Sequence, residues 1–341
     1  MKKKGNKVYI IAEAGVNHNG DFNLAKKMIK VAKKSGADAV KFQTWYDGEL
    51  TGKFTQKVSY VKKNYKTNLN RYEISNKLKL SEKDFINLNI YAKKLKIDFL
   101  TTPCGFKSLN FIVNILKVPF IKIGSSELNN YSYLTEVAKK NKIIFLSTGM
   151  SKLEEVEEAF RVIKRYNFKK LYILQCTSEY PCPSENLNLD VLKIYKKKFN
   201  NCGFSDHSLG FEASILSIGY GARVLEKHFT LSKKLKGPDH KASLNPKELR
   251  DYVTRIRKAE LMIGDSEKKP TKKELEIMPQ TRRGIVAIKK IKKNQTITRN
   301  LIGFKRPATG IKMKDLRLVI GKKTKKNLME DEPIKLKYLK R

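Results

Sequence analysis

A chain of 341 residues, 40% of them hydrophobic and 31% charged, is long enough to bury a large core and to carry more than one domain. No apolar run reaches membrane-spanning length, and the stretch behind the basic start Met1-Lys2-Lys3-Lys4 is cut short by Glu13, so neither a membrane partner nor export is expected. The net charge of +40 is spread along nearly the whole chain instead of gathering in an aromatic-basic stripe, which argues against a nucleic-acid partner and leaves a field that favours anionic substrates.

Short β-branched runs alternate with helical patterns as far as about residue 260. The predicted strands are 8–12, 39–43, 99–102, 120–123, 143–147, 171–176, 202–205 and 224–228. Amphipathic stretches at 21–34, 81–96, 108–116, 133–140, 152–165 and 212–220 read as the intervening helices. The first sets Leu24, Met28, Ile29 and Ala32 on one face and stops at Gly36. Eight such units over about 250 residues predict an α/β fold, a parallel sheet closed into a (β/α)8 TIM barrel. The polar insert 46–79, with four tyrosines, reads as a loop excursion over the barrel mouth.

Past Gly264 the pattern changes. The expected organisation is a catalytic barrel at 1–264, a charged linker at 265–281 and a small β-rich domain at 282–341. The last has apolar pieces at 284–290, 296–298, 318–321 and 333–336. A domain of about 60 residues is small for independent stability and is expected to dock onto something. The four cysteines (104, 176, 182 and 202) form no CxxC pair and read as reduced thiols of a cytoplasmic protein.

Barrel enzymes place their chemistry at the C-terminal ends of the strands. Here every predicted strand ends in polar residues. Glu13 follows the first, and Lys41 and Gln43, two apart and so facing one way, end the second. Thr102 ends the third, Lys122, Ser125 and Glu127 the fourth, and Ser147 the fifth. Ser178 follows the sixth, Ser205 and His207 end the seventh, and His228 ends the eighth. The chain has four histidines, His18, His207, His228 and His240, and three of them fall in one short window.

Two imidazoles on successive strand ends read as a divalent-metal site with open positions; the alternative is a pair of hydrogen-bonded core residues. Two lysines among hydroxyls suit a phosphate or carboxylate. Glu13 and Glu127 can orient water or move protons, and Gly149 permits a close backbone approach.

Six motifs carry a resemblance to a known family: Ile11-Ala12-Glu13-Ala14-Gly15-Val16-Asn17-His18-Asn19-Gly20, Val40-Lys41-Phe42-Gln43-Thr44, Lys122-Ile123-Gly124-Ser125-Ser126-Glu127, Leu146-Ser147-Thr148-Gly149-Met150, Ser205-Asp206-His207 and Gly237-Pro238-Asp239-His240-Lys241-Ala242-Ser243. Together they closely resemble the sialic acid synthase family over essentially the whole chain. The tail, with Arg282-Arg283-Gly284-Ile285 and Lys305-Arg306-Pro307, resembles that family's antifreeze-like (SAF) domain.

The resemblance implies a transferase that condenses phosphoenolpyruvate with an open-chain N-acetylated hexosamine and water, giving a nonulosonic acid and phosphate. It implies a Mn2+ or Mg2+ cofactor on His207 and His228. Phosphoenolpyruvate would be held by Lys41, Thr102, Lys122, Ser125, Ser147, Ser178 and Ser205, with Glu13 and Glu127 handling protons and water. Gln43, Tyr180, Asp239 and Arg306 would face the sugar, Arg306 from the partner subunit of a domain-swapped homodimer.

Three positions depart from the family pattern. Gln175 stands where many relatives have His, Ser178 where some have Asn, and Cys104-Gly105 where Phe-Asp is commoner. The Gly-Pro-Asp-His run resembles N-acetylneuraminate and N,N'-diacetyllegionaminate synthases more than pseudaminate synthases. Other readings are a sibling phosphoenolpyruvate–aldose condensing enzyme and a metal-dependent barrel hydrolase.

Overall fold

The structure is a computed structural model that describes residues 7–340; the basic start Met1–Lys4 lies outside the described residues. The chain divides into two compact units between Asp265 and Ser266. In the first, eight strands are parallel neighbours: β1 (Tyr9–Gly15), β2 (Ala39–Thr44), β3 (Asp98–Pro103), β4 (Phe120–Ile123), β5 (Ile143–Ser147), β6 (Leu171–Cys176), β7 (Cys202–Asp206) and β8 (Val224–His228). Their order is β3-β2-β1-β8-β7-β6-β5-β4, and β3 and β4 approach each other to close the TIM barrel. Four predicted strands coincide with β4, β5, β6 and β8. The other four run beyond their expected ends, β1 as far as Gly15.

Helices alternate with the strands for local reasons. In helix Phe22–Lys34 the Asp21 side chain accepts from the Leu24 amide, and Gly36 beyond its end takes φ +84°. Its buried stripe is Ala25, Met28, Ile29 and Ala32, so Ala25 takes the place expected of Leu24, at the i, i+3, i+4, i+7 spacing. The stretch expected as helix 108–116 begins earlier, as Phe106–Asn110, and continues as a π-helical turn, Phe111–Ile115.

The insert is not a bare loop. It contains two short helices, Ser59–Asn64 and Arg71–Lys77, the second started by an Asn70–Glu73 capping box. Val61, Ile74 and Leu78 pack with Trp45 and Val16 into a core of their own. Helices this short show no legible apolar period, which is why the sequence reads as loop.

In the second unit, helix Lys272–Thr281, capped by Thr271 and Glu274, lies within the stretch expected as linker. Beyond it β9 (Gly284–Ala287) pairs antiparallel with β10 (Ile302–Lys305). The later apolar pieces join by isolated bridges, such as Val286 with Pro333 and Thr296 with Lys323, or by 3-10 turns. They close over Ile285, Ile291, Ile297, Val319, Leu328 and Ile334.

Candidate active site

Strand alternation builds the site in layers. Ile11, Ala39, Leu100, Phe145, Leu174 and Val224 fill the barrel bore with Tyr9, Phe120, Ile143 and Tyr172. Two residues further along each strand, the inward position is Glu13, Lys41, Thr102, Lys122, Ser147, Cys176, Ser205 or Glu226, and all eight are buried. One more step reaches Gly15, Gln43, Ser178, His207 and His228 at the mouth.

The charged layer is one connected network. Lys41 Nζ lies 3.2 Å from Glu13 Oε1 and 3.4 Å from Glu226 Oε2, and donates to Thr102 Oγ1 at 3.0 Å. Lys122 Nζ donates to Ser147 Oγ at 2.8 Å and sits 3.8 Å from Glu226 Oε1, which also accepts from Ser205 Oγ at 3.1 Å. Gln43 Nε2 donates to Glu13 Oε1 at 3.2 Å. Two ammonium groups thus face two carboxyl groups within one buried layer.

Burial raises the Glu13 carboxyl to about 7, against the pull of Lys41. Burial works the same way on Glu226, but Lys122 and Lys41 outweigh it and bring that carboxyl down to about 2. Burial also lowers Lys122, while Lys41 is raised because its two carboxylates overcome the same penalty. Oε2 of Glu13 is buried without a hydrogen-bond partner, and Oε2 of Glu226 has only the Lys41 ammonium at 3.4 Å. Carboxylates so placed are poised for a ligand or water that brings donors.

Beside Lys122 the hydroxyls form a cradle. The Gly149 amide donates to Ser125 Oγ at 2.9 Å, and a Cβ at Gly149 would lie 2.3 Å from Ser178 Oγ. Only glycine leaves that space open. Gly15 on the opposite wall is favoured by its backbone, at φ +52°, and a Cβ there would come within 3.3 Å of Glu13 Oε1.

His207 and His228 face each other with ring centroids 5.6 Å apart, and the Tyr180 ring lies 4.0 Å from His207 and 5.6 Å from His228. His207 Nδ1 is 2.7 Å from the Thr177 carbonyl and donates to it, which leaves the Nε2 lone pair free. His228 Nδ1 is buried with no partner, and burial, with His207 beside it, holds that imidazole neutral, well below its ordinary range. Burial lowers the His207 imidazole, but Cys176 and the Thr177 carbonyl outweigh it and raise it above its ordinary range, so that ring must give up a proton before its Nε2 can take a divalent cation beside His228. Among the described residues no group of three or more His, Cys, Asp and Glu converges for a metal, so the pair would leave several positions for water and substrate.

Above the imidazoles a cavity of about 120 Å³ is lined by Gln43, Tyr60, Arg71, Tyr180, His228 and Asp239, with Trp45 and Leu50 in its wall. Burial raises the Asp239 carboxyl to about 6, opposed by Arg71. Glu127 stands apart. Its Oε2 accepts from Asn130 at 2.9 Å, and it lines a second cavity with Glu49 and Cys104. Gln175 points out of the bore and donates to the Leu187 carbonyl at 3.1 Å. Arg306 is exposed in the C-terminal unit, directly after β10.

Sequence reasoning missed Glu226, which joins both lysines. Its signal was its place two residues before His228, on the inward side of the same strand. It also missed Tyr60 and Arg71, whose insert carried no readable pattern.

These features define an α/β-barrel enzyme with a buried layer of two lysines and two glutamates beneath a pair of imidazoles. Residues 28–268 match the NeuB family and residues 282–340 match the SAF domain. The chain is 42% identical to the N,N'-diacetyllegionaminic acid synthase of Campylobacter jejuni, over 96% of this chain and 99% of that one. It is 34% identical to the N-acetylneuraminate-9-phosphate synthase of Homo sapiens, over 96% and 91% of the two chains. The crystal structure of the N-acetylneuraminic acid (sialic acid) synthetase of Leptospira borgpetersenii superposes with a TM-score of 0.70 at 32% identity, covering 80% of this chain and 90% of that one. The chain belongs to the NeuB family of nonulosonic acid synthases, with a SAF domain C-terminal to its barrel.

Proposed function

We propose that the protein joins phosphoenolpyruvate to the aldehyde of an open-chain N-acetylated hexosamine in the cytoplasm. Carbon three of phosphoenolpyruvate forms the new C–C bond, water adds at carbon two, and the C–O bond to phosphate breaks, releasing inorganic phosphate. The carrying observation is the charged layer: Lys41 and Lys122, already desolvated and sharing Glu226, can exchange their carboxylate partners for an anionic substrate. Ser147, Thr102 and Ser205 extend that donor set, and the Ser125–Gly149–Ser178 cradle closes its side. Glu13, raised to about 7, can hold or release a proton near neutrality. His207 and His228 would hold Mn2+ or Mg2+, which when bound supplies Lewis-acid polarisation of a carbonyl oxygen.

For the sugar we propose a diacetylated hexosamine. Apolar Val16, Trp45, Leu50, Val61 and Ile74 stand beside the polar groups of the cavity and suit methyl-bearing substituents, and the 42% relative carries a diacetyllegionaminic name. Feeding phosphoenolpyruvate with that sugar, with N-acetylmannosamine or with its 6-phosphate, and reading product mass and phosphate release, tests this. Turnover without phosphoenolpyruvate would overturn the synthase reading, and preference for the phosphorylated sugar would overturn the specificity.

From the family resemblance we further propose that Arg306 reaches the sugar bound by a partner subunit. Co-expressed Arg306→Ala and His228→Ala chains should then recover about a quarter of the parent activity, since about half of random dimers are mixed and each has one intact site. No recovery in verified mixed dimers would rule out the shared site.

A further inference from the structure

The residues that alternate with the site residues point the other way, and on the two histidine-bearing strands they meet. Asp206 lies between Ser205 and His207, Lys227 lies between Glu226 and His228, and the two are register partners across β7 and β8. Lys227 Nζ lies 2.9 Å from Asp206 Oδ2 and donates to the Ser208 carbonyl at 2.6 Å. Asp206 Oδ1 accepts from the Ser208 amide at 2.9 Å and from its hydroxyl at 2.6 Å. Oδ2 also accepts from Ser214 Oγ at 2.6 Å, and that hydroxyl accepts from Tyr252 at 2.9 Å. The whole group is buried between the strands and the helices Glu212–Gly219 and Pro246–Ile263.

A buried ion pair is a poor stabiliser, because desolvating both ions costs about as much as their attraction returns. What this one does supply is direction. It ties the ends of β7 and β8 to each other at the residues flanking both imidazoles, and it anchors that junction to two helices by hydrogen bonds of fixed geometry. We propose that Asp206 and Lys227 are positioning residues that set the separation and aim of His207 and His228 for a shared divalent cation. This rests on the metal site of the proposed function.

The double variant Asp206→Asn/Lys227→Met removes both charges and leaves no ion unpaired. It should fold with a Tm at or above that of the parent. Its Mn2+ affinity, read by electron paramagnetic resonance of free Mn2+ without substrate, should fall by about tenfold or more, the usual cost of losing support behind a ligand. The kcat for phosphate release should fall in parallel, while the KM for phosphoenolpyruvate stays within about twofold, because Lys41 and Lys122 are untouched. A merely structural pair would lower Tm and leave Mn2+ affinity alone, and that result overturns the inference.

If the double variant does not fold, Ser214→Ala removes a single hydroxyl from Asp206 and should weaken Mn2+ by about threefold at nearly constant Tm. Unchanged affinity there overturns the inference equally. A parent enzyme that neither binds Mn2+ nor releases phosphate would instead overturn the function on which it rests.

Discussion

The lower and upper halves of the barrel bore are made by the same eight strands and the same two-residue alternation, yet their chemistry is opposite. Below, Phe145 sits among Tyr9, Phe120 and Tyr172 at ring-centroid distances of 5.9, 5.5 and 5.5 Å, a plug with few polar atoms. Above, one step along each strand, four buried charges, three hydroxyls and a thiol replace it. The lower layer gains from being desolvated and the upper one is penalised by it. The comparison teaches that closure energy and binding chemistry are separated along the barrel axis, so that substitutions in the two layers should have opposite signatures.

The largest effect on stability belongs below. Phe145→Ala empties the centre of the plug and should cost about 3–5 kcal/mol in urea unfolding. A loss below about 1 kcal/mol would show that closure does not rest on this layer. Above, Lys122→Met should raise the phosphoenolpyruvate KM by more than about tenfold, since a charge-assisted contact contributes about 1.5–3 kcal/mol. Its Tm should fall less than in Phe145→Ala, because burial already disfavours that ammonium, although Glu226 loses one of its two cationic partners. A drop in Tm with KM unchanged would erase the distinction between the layers.

A smaller effect sharpens it through pH. Burial raises the Glu13 carboxyl from an ordinary 4.5 to about 7, so the folded state binds the proton more tightly than the unfolded chain. The stability this contributes is fully present below about pH 4.5 and is lost as pH rises through about 7. Glu13→Gln should flatten that fall in unfolding free energies measured without ligand at pH 5 and pH 8. An unchanged slope would mean that Glu13 ionises as an ordinary carboxylate.

The smallest effect belongs to neither layer. Gln175→Ala loses one bond to the Leu187 carbonyl, outside the bore, and should cost about 0.5–1.5 kcal/mol in urea unfolding with kcat unchanged. A large loss of activity would bring Gln175 into the site.

Much of this barrel was legible because strand alternation is strict. Lys41 and Gln43, or Ser205 and His207, announce a shared face by their spacing alone, and polar residues at strand ends mark the mouth of a barrel. Glu226 was legible by the same rule. What a strand's own sequence does not state is which neighbour an inward carboxylate will meet. The insert was illegible for another reason. Arg71–Lys77 is held by a capping box and by packing on Trp45, so its helicity depends on partners distant in sequence.

By itself the sequence determined the eight strands, their faces and the list of groups that could meet at the mouth, because local periodicity and side-chain chemistry are properties of short segments. Only the tertiary structure decided the pairings. Barrel closure brings Glu226 between Lys41 and Lys122, turns Glu127 into a neighbouring cavity and carries Arg71 over Asp239. It also joins Asp206 to Lys227 behind the histidines. Which charge neutralises which is a matter of distance and desolvation, and both exist only once the chain has closed on itself.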